Sequence, residues 1–272
     1  MTAASAPSRL LARFDDEQDR ADRPFTFEPD CAMWLHAGMD AAVDFEPTLD
    51  LGGQVALVTG ASSGLGRRFA TLLAAHGARV VATGRRMERL GEVAEEITAA
   101  GGPCLPLQLD VTDAEQLAAV VGTAENELGP VQILVNNAGI PDAQYATKME
   151  LELIDRVLDT NLRAPYVLSC DVARRLIELE LPGRMVNISS VGGFHYAGGG
   201  AALYSITKAG VNRLTETLAV EWSRFNINVN AIAPGLFASE MSDGMIERMG
   251  DLTRVFPRKR IGQPENLDST LL

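Results

Sequence analysis

Three side chains in the C-terminal half of the sequence have the types and spacing needed for proton transfer. Tyr204 and Lys208 are four residues apart, and this spacing places them on one face of a helix. A nearby ammonium group stabilises a phenolate and lowers the phenol's pKa from about 10. Such pairs are also common on helix surfaces. Here Ser190 ends a preceding apolar run, and a hydroxyl at the end of a parallel strand faces the ligand crevice, which favours acid/base catalysis.

A glycine-rich segment near residue 60 has the composition of a phosphate-binding turn. It follows an apolar run and precedes an amphipathic stretch, which is the context that such a turn requires. Its glycines allow backbone N–H groups to approach a pyrophosphate at a helix N-terminus. An ordinary turn that uses glycine for positive φ is the alternative. The residues predicted to hold the pyrophosphate are Gly60, Ser62, Ser63, Gly64, Leu65 and Gly66.

The end of the second apolar run indicates which nucleotide would bind. An acidic residue there would accept hydrogen bonds from the ribose hydroxyls of NAD and repel a 2′-phosphate. The sequence instead has Gly84 followed by Arg85 and Arg86. Guanidinium groups bind phosphate through paired hydrogen bonds, so the sequence predicts NADP(H) in preference to NAD(H). The alternative is that both arginines only solvate the start of a helix.

The elements that would position these residues alternate along the chain after Gly53. Strands are expected at residues 55–58, 79–82, 105–109, 133–135, 184–188 and 228–232, and helices at 67–76, 86–100, 114–128, 151–179 and 204–225. This alternation is typical of parallel βαβ units. Right-handed crossovers then predict an α/β fold, a doubly wound parallel sheet of Rossmann type in three layers. Pro106 places the third strand at a sheet edge.

Composition narrows the class of protein further. The chain is 46% apolar and 22% charged, which is typical of a globular protein. Its net charge of −12 argues against a nucleic-acid partner. No stretch of 18 uncharged apolar residues would span a membrane. Cys31, Cys104 and Cys170 are too few and too scattered for a disulfide framework or a metal site, so a cytoplasmic location without a bound metal is expected.

The first fifth of the chain differs from the rest. Residues 1–53 hold four arginines and eleven acidic residues, a net charge of −7. The interpretation is an acidic, mostly flexible extension over residues 1–52, followed by one domain over residues 53–272. A start at Met39, or docking through the apolar segment 32–35, are alternatives for this extension.

Several further motifs follow the predicted strands in order. Asp110-Val111 follows the third strand, residues 136–139 read Asn-Asn-Ala-Gly after the fourth, Asn161 lies in the long helix, and Pro234-Gly235 follows the sixth strand. With the glycine loop, Ser190 and the Tyr204/Lys208 pair, the sequence resembles the short-chain dehydrogenase/reductase superfamily. The resemblance is to its single-domain branch, in the style of 3-oxoacyl-carrier-protein reductases, and runs from about Gly53 to the last residue.

The resemblance implies a role for each matching residue. Tyr204 would be the general acid for carbonyl reduction, with Lys208 lowering its pKa and holding the nicotinamide ribose. Ser190 would bind the substrate oxygen, and Asn161 would hold a backbone kink and a water that links Lys208 to solvent. The remaining cofactor contacts implied are Asp110 and Val111 at the adenine, Asn137, Ala138 and Gly139 at the cofactor floor, and Pro234, Gly235 and Phe237 at the nicotinamide.

The implied substrate is a small carbonyl compound or alcohol. The family's variable lid corresponds to about residues 236–260, which are rich in methionine, so an apolar substrate is expected. Packing of those residues on the core is the alternative. His195 is the only further acid/base candidate near the site, for an epimerase or dehydratase reaction. A catalytically impaired protein that acts by binding is another alternative.

Two departures from the family pattern affect these expectations. Thirteen residues separate Ser190 from Tyr204, one more than is usual, so Ser189 is the alternative hydroxyl. The sequence also stops at Leu272, before the last strand of the family. We therefore expect the fold to lack that strand, leaving the sixth strand as an edge. Because the missing strand commonly builds a tetramer contact in the family, we expect a homodimer rather than a tetramer.

Overall fold

The central feature of the fold is a six-stranded parallel sheet. The computed structural model describes residues 49–196, 198–250 and 252–272; the predicted extension, apart from its last residues, and the apolar segment 32–35 lie outside them. The strands are β1 Val55–Thr59, β2 Arg79–Gly84, β3 Cys104–Gln108, β4 Val131–Asn136, β5 Gly183–Ile188 and β6 Ile227–Ile232. Their order is β3-β2-β1-β4-β5-β6. The order reverses between β1 and β4, where doubly wound sheets open a crevice for ligands.

Helices connect successive strands, and the last two helices follow β6. They are α1 Gly64–Ala75, α2 Met87–Ala99, α3 Ala114–Leu128, α4 Leu151–Leu158, α5 Ala164–Glu178, α6 Ala202–Trp222, α7 Glu240–Met249 and α8 Asp268–Leu271. Gly77, Gly101 and Gly129 follow α1, α2 and α3 with φ between +90° and +93°. Glycine adopts this left-handed backbone without steric cost, which explains where the three helices end.

Two apolar cores cover the two faces of the sheet. Alternate strand residues such as Leu57 and Leu134 pack with α3, α5 and α6 on one face. Their neighbours Val58 and Val135 pack with α1, α2 and Leu267 on the other. Both faces of each central strand are buried, which is why these strands are continuous apolar runs. The predicted three-layer Rossmann-type fold is confirmed.

The sheet edges agree with the sequence, and one helix differs. Within the described residues, β3, which contains Pro106, pairs only with β2, and β6 pairs only with β5. The expected single helix over residues 151–179 is interrupted by a π-helical turn at Asp159–Arg163, between α4 and α5. No helix in the described residues is long and apolar enough to cross a bilayer.

Candidate active site

The glycine loop between β1 and α1 forms a cradle that side chains would fill. Gly60 and Gly64 have φ of +67° and +54°. A Cβ atom added at Gly66 would lie 2.3 Å from the Gly60 carbonyl oxygen and 2.4 Å from Asn137 Nδ2. Ser63 begins α1 without a capping hydrogen bond from its side chain, so the first N–H groups of the helix have no capping partner there. These features fit the pyrophosphate of a dinucleotide.

Thr59 ties this loop to the segment after β4. Its Oγ1 accepts hydrogen bonds from the backbone N–H groups of Asn137 and Ala138, both at 3.0 Å. Asn137 Nδ2 donates in turn to the Thr59 carbonyl at 2.9 Å. The predicted cofactor residues Asn137 and Ala138 therefore lie beside the glycine loop, next to Gly139. Thr59 was not among the predicted site residues, although a hydroxyl residue directly before the glycine loop is a signal that the sequence contains.

Ser190 and Tyr204 meet at the C-terminal end of β5. Ser190 Oγ and a Tyr204 ring carbon lie 3.4 Å and 3.8 Å from the position that a Cβ of Gly192 would take. Ser189, the alternative hydroxyl, points elsewhere: its Oγ donates to the Lys208 carbonyl at 3.1 Å and contacts Asn212 Oδ1 at 2.5 Å. The extra residue of the connecting loop therefore leaves Ser190 as the serine beside Tyr204.

Lys208 lies beside Tyr204 in a buried position. Its Nζ is 5.7 Å from the centre of the Tyr204 ring and donates to the Ile188 carbonyl at 2.7 Å. Burial lowers the pKa of Lys208 to about 8. Burial also raises the pKa of Tyr204. A hydrogen bond with Ser190 lowers this pKa, and the negative charge of Asp142 raises it further. Burial is the largest cause at both groups, so the net shift of the Tyr204 pKa is upward, and the lowering expected from Lys208 stays a prediction.

Asn161 occupies the π-helical turn and joins two parts of the site. Its Oδ1 accepts from the Ile140 N–H and its Nδ2 donates to the Ile140 carbonyl, both at 2.9 Å. Nδ2 also lies 3.2 Å from Thr207 Oγ1, on the helix that carries Tyr204. Asn161 is fully buried. The expected backbone irregularity at Asn161 is present, and it aims the amide at the loop after β4.

The two arginines after β2 have different surroundings. Among the described residues, the exposed Arg85 guanidinium has no hydrogen-bond or ion-pair partner. Arg86 donates to Ser62 Oγ at 3.0 Å and Ser63 Oγ at 2.9 Å, and it pairs with Glu240 at 2.9 Å. Arg86 therefore lies at the glycine loop, as an adenosine-phosphate site requires, and Arg85 precedes it directly in the chain. Glu240 is a contact that no sequence pattern had indicated.

The other predicted cofactor residues line the same edge of the sheet. Asp110 Oδ1 accepts from the Thr112 backbone N–H at 3.0 Å, and Val111 is almost fully buried in the core. Pro234 accepts through its carbonyl from the Val191 N–H at 3.0 Å. Phe237 pairs with Gly262 through a parallel bridge, close to exposed Gly235. These contacts hold the backbone of each segment in place.

Two exposed residues lie in the loop after Ser190 and in the lid. His195 is exposed, and its backbone N–H donates to the Val191 carbonyl at 3.0 Å. In the lid, Met241 is 40% exposed at the start of α7. No cluster of three metal-binding side chains occurs in the part of the chain that the structure describes.

Comparisons with known proteins identify the family of this chain. A family model described as short chain dehydrogenase matches residues 54–249. A 3-oxoacyl-[acyl-carrier-protein] reductase of Synechocystis is 35% identical over 81% of this chain and 88% of its own length. Gluconate 5-dehydrogenase of Gluconobacter oxydans is 37% identical over 80% of this chain and 85% of its own length. The crystal structure of an actinorhodin polyketide ketoreductase variant with NADPH is 33% identical, covers 80% of this chain and 88% of that chain, and has a TM-score of 0.76. The chain therefore belongs to the short-chain dehydrogenase/reductase family of oxidoreductases.

Proposed function

We propose that this chain is an NADP(H)-dependent oxidoreductase that interconverts a ketone and a secondary alcohol. The observation that carries the proposal is the convergence of Ser190, Tyr204 and Lys208 at the edge of the sheet where the glycine loop lies. A hydroxyl, a phenol and an ammonium group around one point can bind an oxygen atom and exchange a proton with it. The reductase and ketoreductase relatives support the same reaction class.

Each side chain has a specific task in this mechanism. The coenzyme, when bound, supplies or accepts the hydride. Ser190 donates a hydrogen bond to the substrate oxygen and so aligns the carbonyl. Tyr204 donates its phenolic proton to that oxygen during reduction and takes it back during oxidation. Its raised pKa keeps the phenol protonated at neutral pH, which suits the reducing direction. The Lys208 ammonium stabilises the phenolate that remains.

Coenzyme choice follows from the residues after β2. Gly84 stands where an acidic residue would favour NAD, and the exposed Arg85 follows it directly in the chain. An arginine there compensates the charge of a 2′-phosphate. The NADPH complex of the ketoreductase supports the same choice. Gly60, Gly66, Asn137 and Gly139 would hold the rest of the nucleotide.

The test is a spectrophotometric assay with both coenzymes. NADPH and NADH would each be offered with apolar ketones and β-ketoacyl thioesters, and NADP⁺ and NAD⁺ with secondary alcohols, including gluconate as a polar comparison. We expect oxidation of NADPH with at least one apolar ketone and a much lower kcat/KM with NADH. Equal kcat/KM values for the two coenzymes would contradict NADP(H) preference, and no turnover across the panel would contradict the oxidoreductase proposal.

The proposal also includes a homodimeric assembly and a cytoplasmic location. Leu158, Leu162, Tyr166 and Leu214 line a shallow apolar groove formed by residues of α4, the π turn, α5 and α6, and Tyr166 is 52% exposed. A second copy of the chain would bury this face in a homodimer. Light scattering should give the mass of a dimer, whereas a monodisperse tetramer would contradict the homodimer.

The free thiols of Cys104 and Cys170 support a cytoplasmic location.

A further inference from the structure

The carboxylate of Glu240 occupies a cationic site at the glycine loop. It contacts the guanidinium groups of both Arg86 and Arg89, and it accepts a longer hydrogen bond from Ser63 Oγ at 3.4 Å. Arg86 approaches both carboxylate oxygens, at 3.2 Å and 2.9 Å. Two cations and a hydroxyl around one anion form the donor set that also suits a phosphate.

The position of Glu240 is fixed by the start of α7. Ser239 is the N-cap of this helix: its Oγ accepts from the Ser242 N–H at 3.2 Å, and its own N–H donates to Ser242 Oγ at 2.8 Å. This reciprocal pair is a capping box, which fixes the entry of the chain into the helix. Ser239 also lies against the glycine loop, with its Cβ 3.2 Å from the position that a Cβ of Gly64 would take. The glutamate is therefore held at the loop by the backbone of the lid.

Glu240 is an acidic group at the predicted nucleotide site, although it lies 154 positions after Arg86 in the sequence. Partial burial raises the pKa of its carboxyl, but hydrogen bonds from Arg89 and Arg86 outweigh this and hold the pKa below its usual value. The group is therefore ionised at neutral pH. An ionised carboxylate on Arg86 opposes a 2′-phosphate at the same guanidinium, whereas a 2′-hydroxyl carries no charge for it to repel.

We propose that Glu240 is a coenzyme-specificity residue: its carboxylate competes with the 2′-phosphate of NADP(H) for Arg86 and Arg89. This inference rests on the proposed function. It divides the basic residues after β2 into two groups, because Arg85 has no such competitor in the described structure. Arg85 then provides the basal preference for NADP(H), and Glu240 reduces it. The chain's discrimination between the coenzymes is the balance of the two.

The test compares Glu240→Gln with a matched control, Asp243→Asn. Asp243 lies on α7 as well, is exposed, and makes no side-chain contact with Arg86 or Arg89 in the described structure. Both variants remove one negative charge from the same helix and retain side-chain shape. Calorimetric titration with adenosine 2′,5′-bisphosphate and adenosine 5′-monophosphate measures the affinity for the 2′-phosphate without turnover. Titrations of NADP⁺ and NAD⁺ follow on the same samples.

We expect Glu240→Gln to bind adenosine 2′,5′-bisphosphate and NADP⁺ about fivefold more tightly than the wild type, as removal of an exposed charge interaction would give. Affinities for adenosine 5′-monophosphate and NAD⁺ should stay unchanged, and Asp243→Asn should match the wild type. Equal tightening in both variants, or none in Glu240→Gln, would overturn the inference while leaving NADP(H) binding intact. A wild-type chain that binds neither coenzyme would instead contradict the proposed function, and the inference with it.

Discussion

The backbone N–H of Tyr204 donates a hydrogen bond to the carboxylate of Asp142 at 3.0 Å. Asp142 is 3% exposed, and its other oxygen accepts from the Ala143 N–H at 2.7 Å. Ala201 at the start of α6 has no side chain that could cap the helix. The Asp142 carboxylate, in the loop after β4, therefore caps the helix. It links the helix of Tyr204 and Lys208 to the cofactor side of the site.

Removal of Asp142 should affect stability and the acid/base group in separable ways. Asp142→Ala leaves the Tyr204 N–H without its partner and should lower the free energy of unfolding by about 1–2 kcal/mol. Asp142→Asn retains an acceptor and should cost less. Because the negative charge of Asp142 contributes to the raised pKa of Tyr204, Asp142→Asn should also shift the pH profile of alcohol oxidation to lower pH. Urea unfolding and kcat profiles measure the two effects; an unshifted profile would assign Asp142 a purely structural role.

The glycine loop should not tolerate a methyl group at Gly66. The added Cβ would lie 2.3 Å from a backbone oxygen that cannot move independently, so Gly66→Ala should lose coenzyme binding and destabilise the fold. Gly91→Ala is the matched control, since no atom other than its chain neighbours and the backbone of its own helix lies within 4 Å of its added Cβ. Alanine favours a helix over glycine by about 1 kcal/mol, so this variant should be at least as stable as the wild type. Thermal unfolding and NADPH titration of both variants test these expectations. A Gly66→Ala protein with normal NADPH binding would contradict the role of the glycine loop in holding the coenzyme.

Burial of Lys208 should make stability depend on pH. Its pKa falls from 10.5 to about 8 in the folded chain. Between these values the unfolded state binds more protons, so this group makes the wild type more stable as pH rises through that window. Lys208→Met removes the effect, and its stability relative to the wild type should decrease by at most about 3 kcal/mol from pH 7 to pH 10. Parallel urea-unfolding curves for the two proteins across this range would contradict the lowered pKa.

The sequence predicted the fold because its signals were local. Each central strand is an apolar run bounded by glycine or polar residues, and Pro106 identified an edge strand. The positions of Ser190 and Tyr204 followed from their places at the ends of β5 and α6. The π-helical turn at Asp159–Arg163 was not visible in the periodicity, and its residue Asn161 bonds to Ile140, 21 positions earlier in the chain.

The charge contacts at the site could not be predicted from the sequence. The pKa of Tyr204 depends on burial and on Asp142, which the fold brings from 62 positions earlier in the chain. Glu240 reaches Arg86 across 154 positions. Such charge pairs leave no mark in local spacing or composition, because they depend on which loops meet at the edge of the sheet.

The central claim is that Tyr204 is the proton donor, and Tyr204→Phe tests it most directly. The substitution removes only the phenolic oxygen, so fluorescence titration should show NADPH binding equal to that of the wild type. Turnover of any ketone that the wild type reduces should fall at least about a hundredfold, the usual contribution of a general acid. A Tyr204→Phe protein that binds NADPH and reduces the ketone at the wild-type rate would contradict the account.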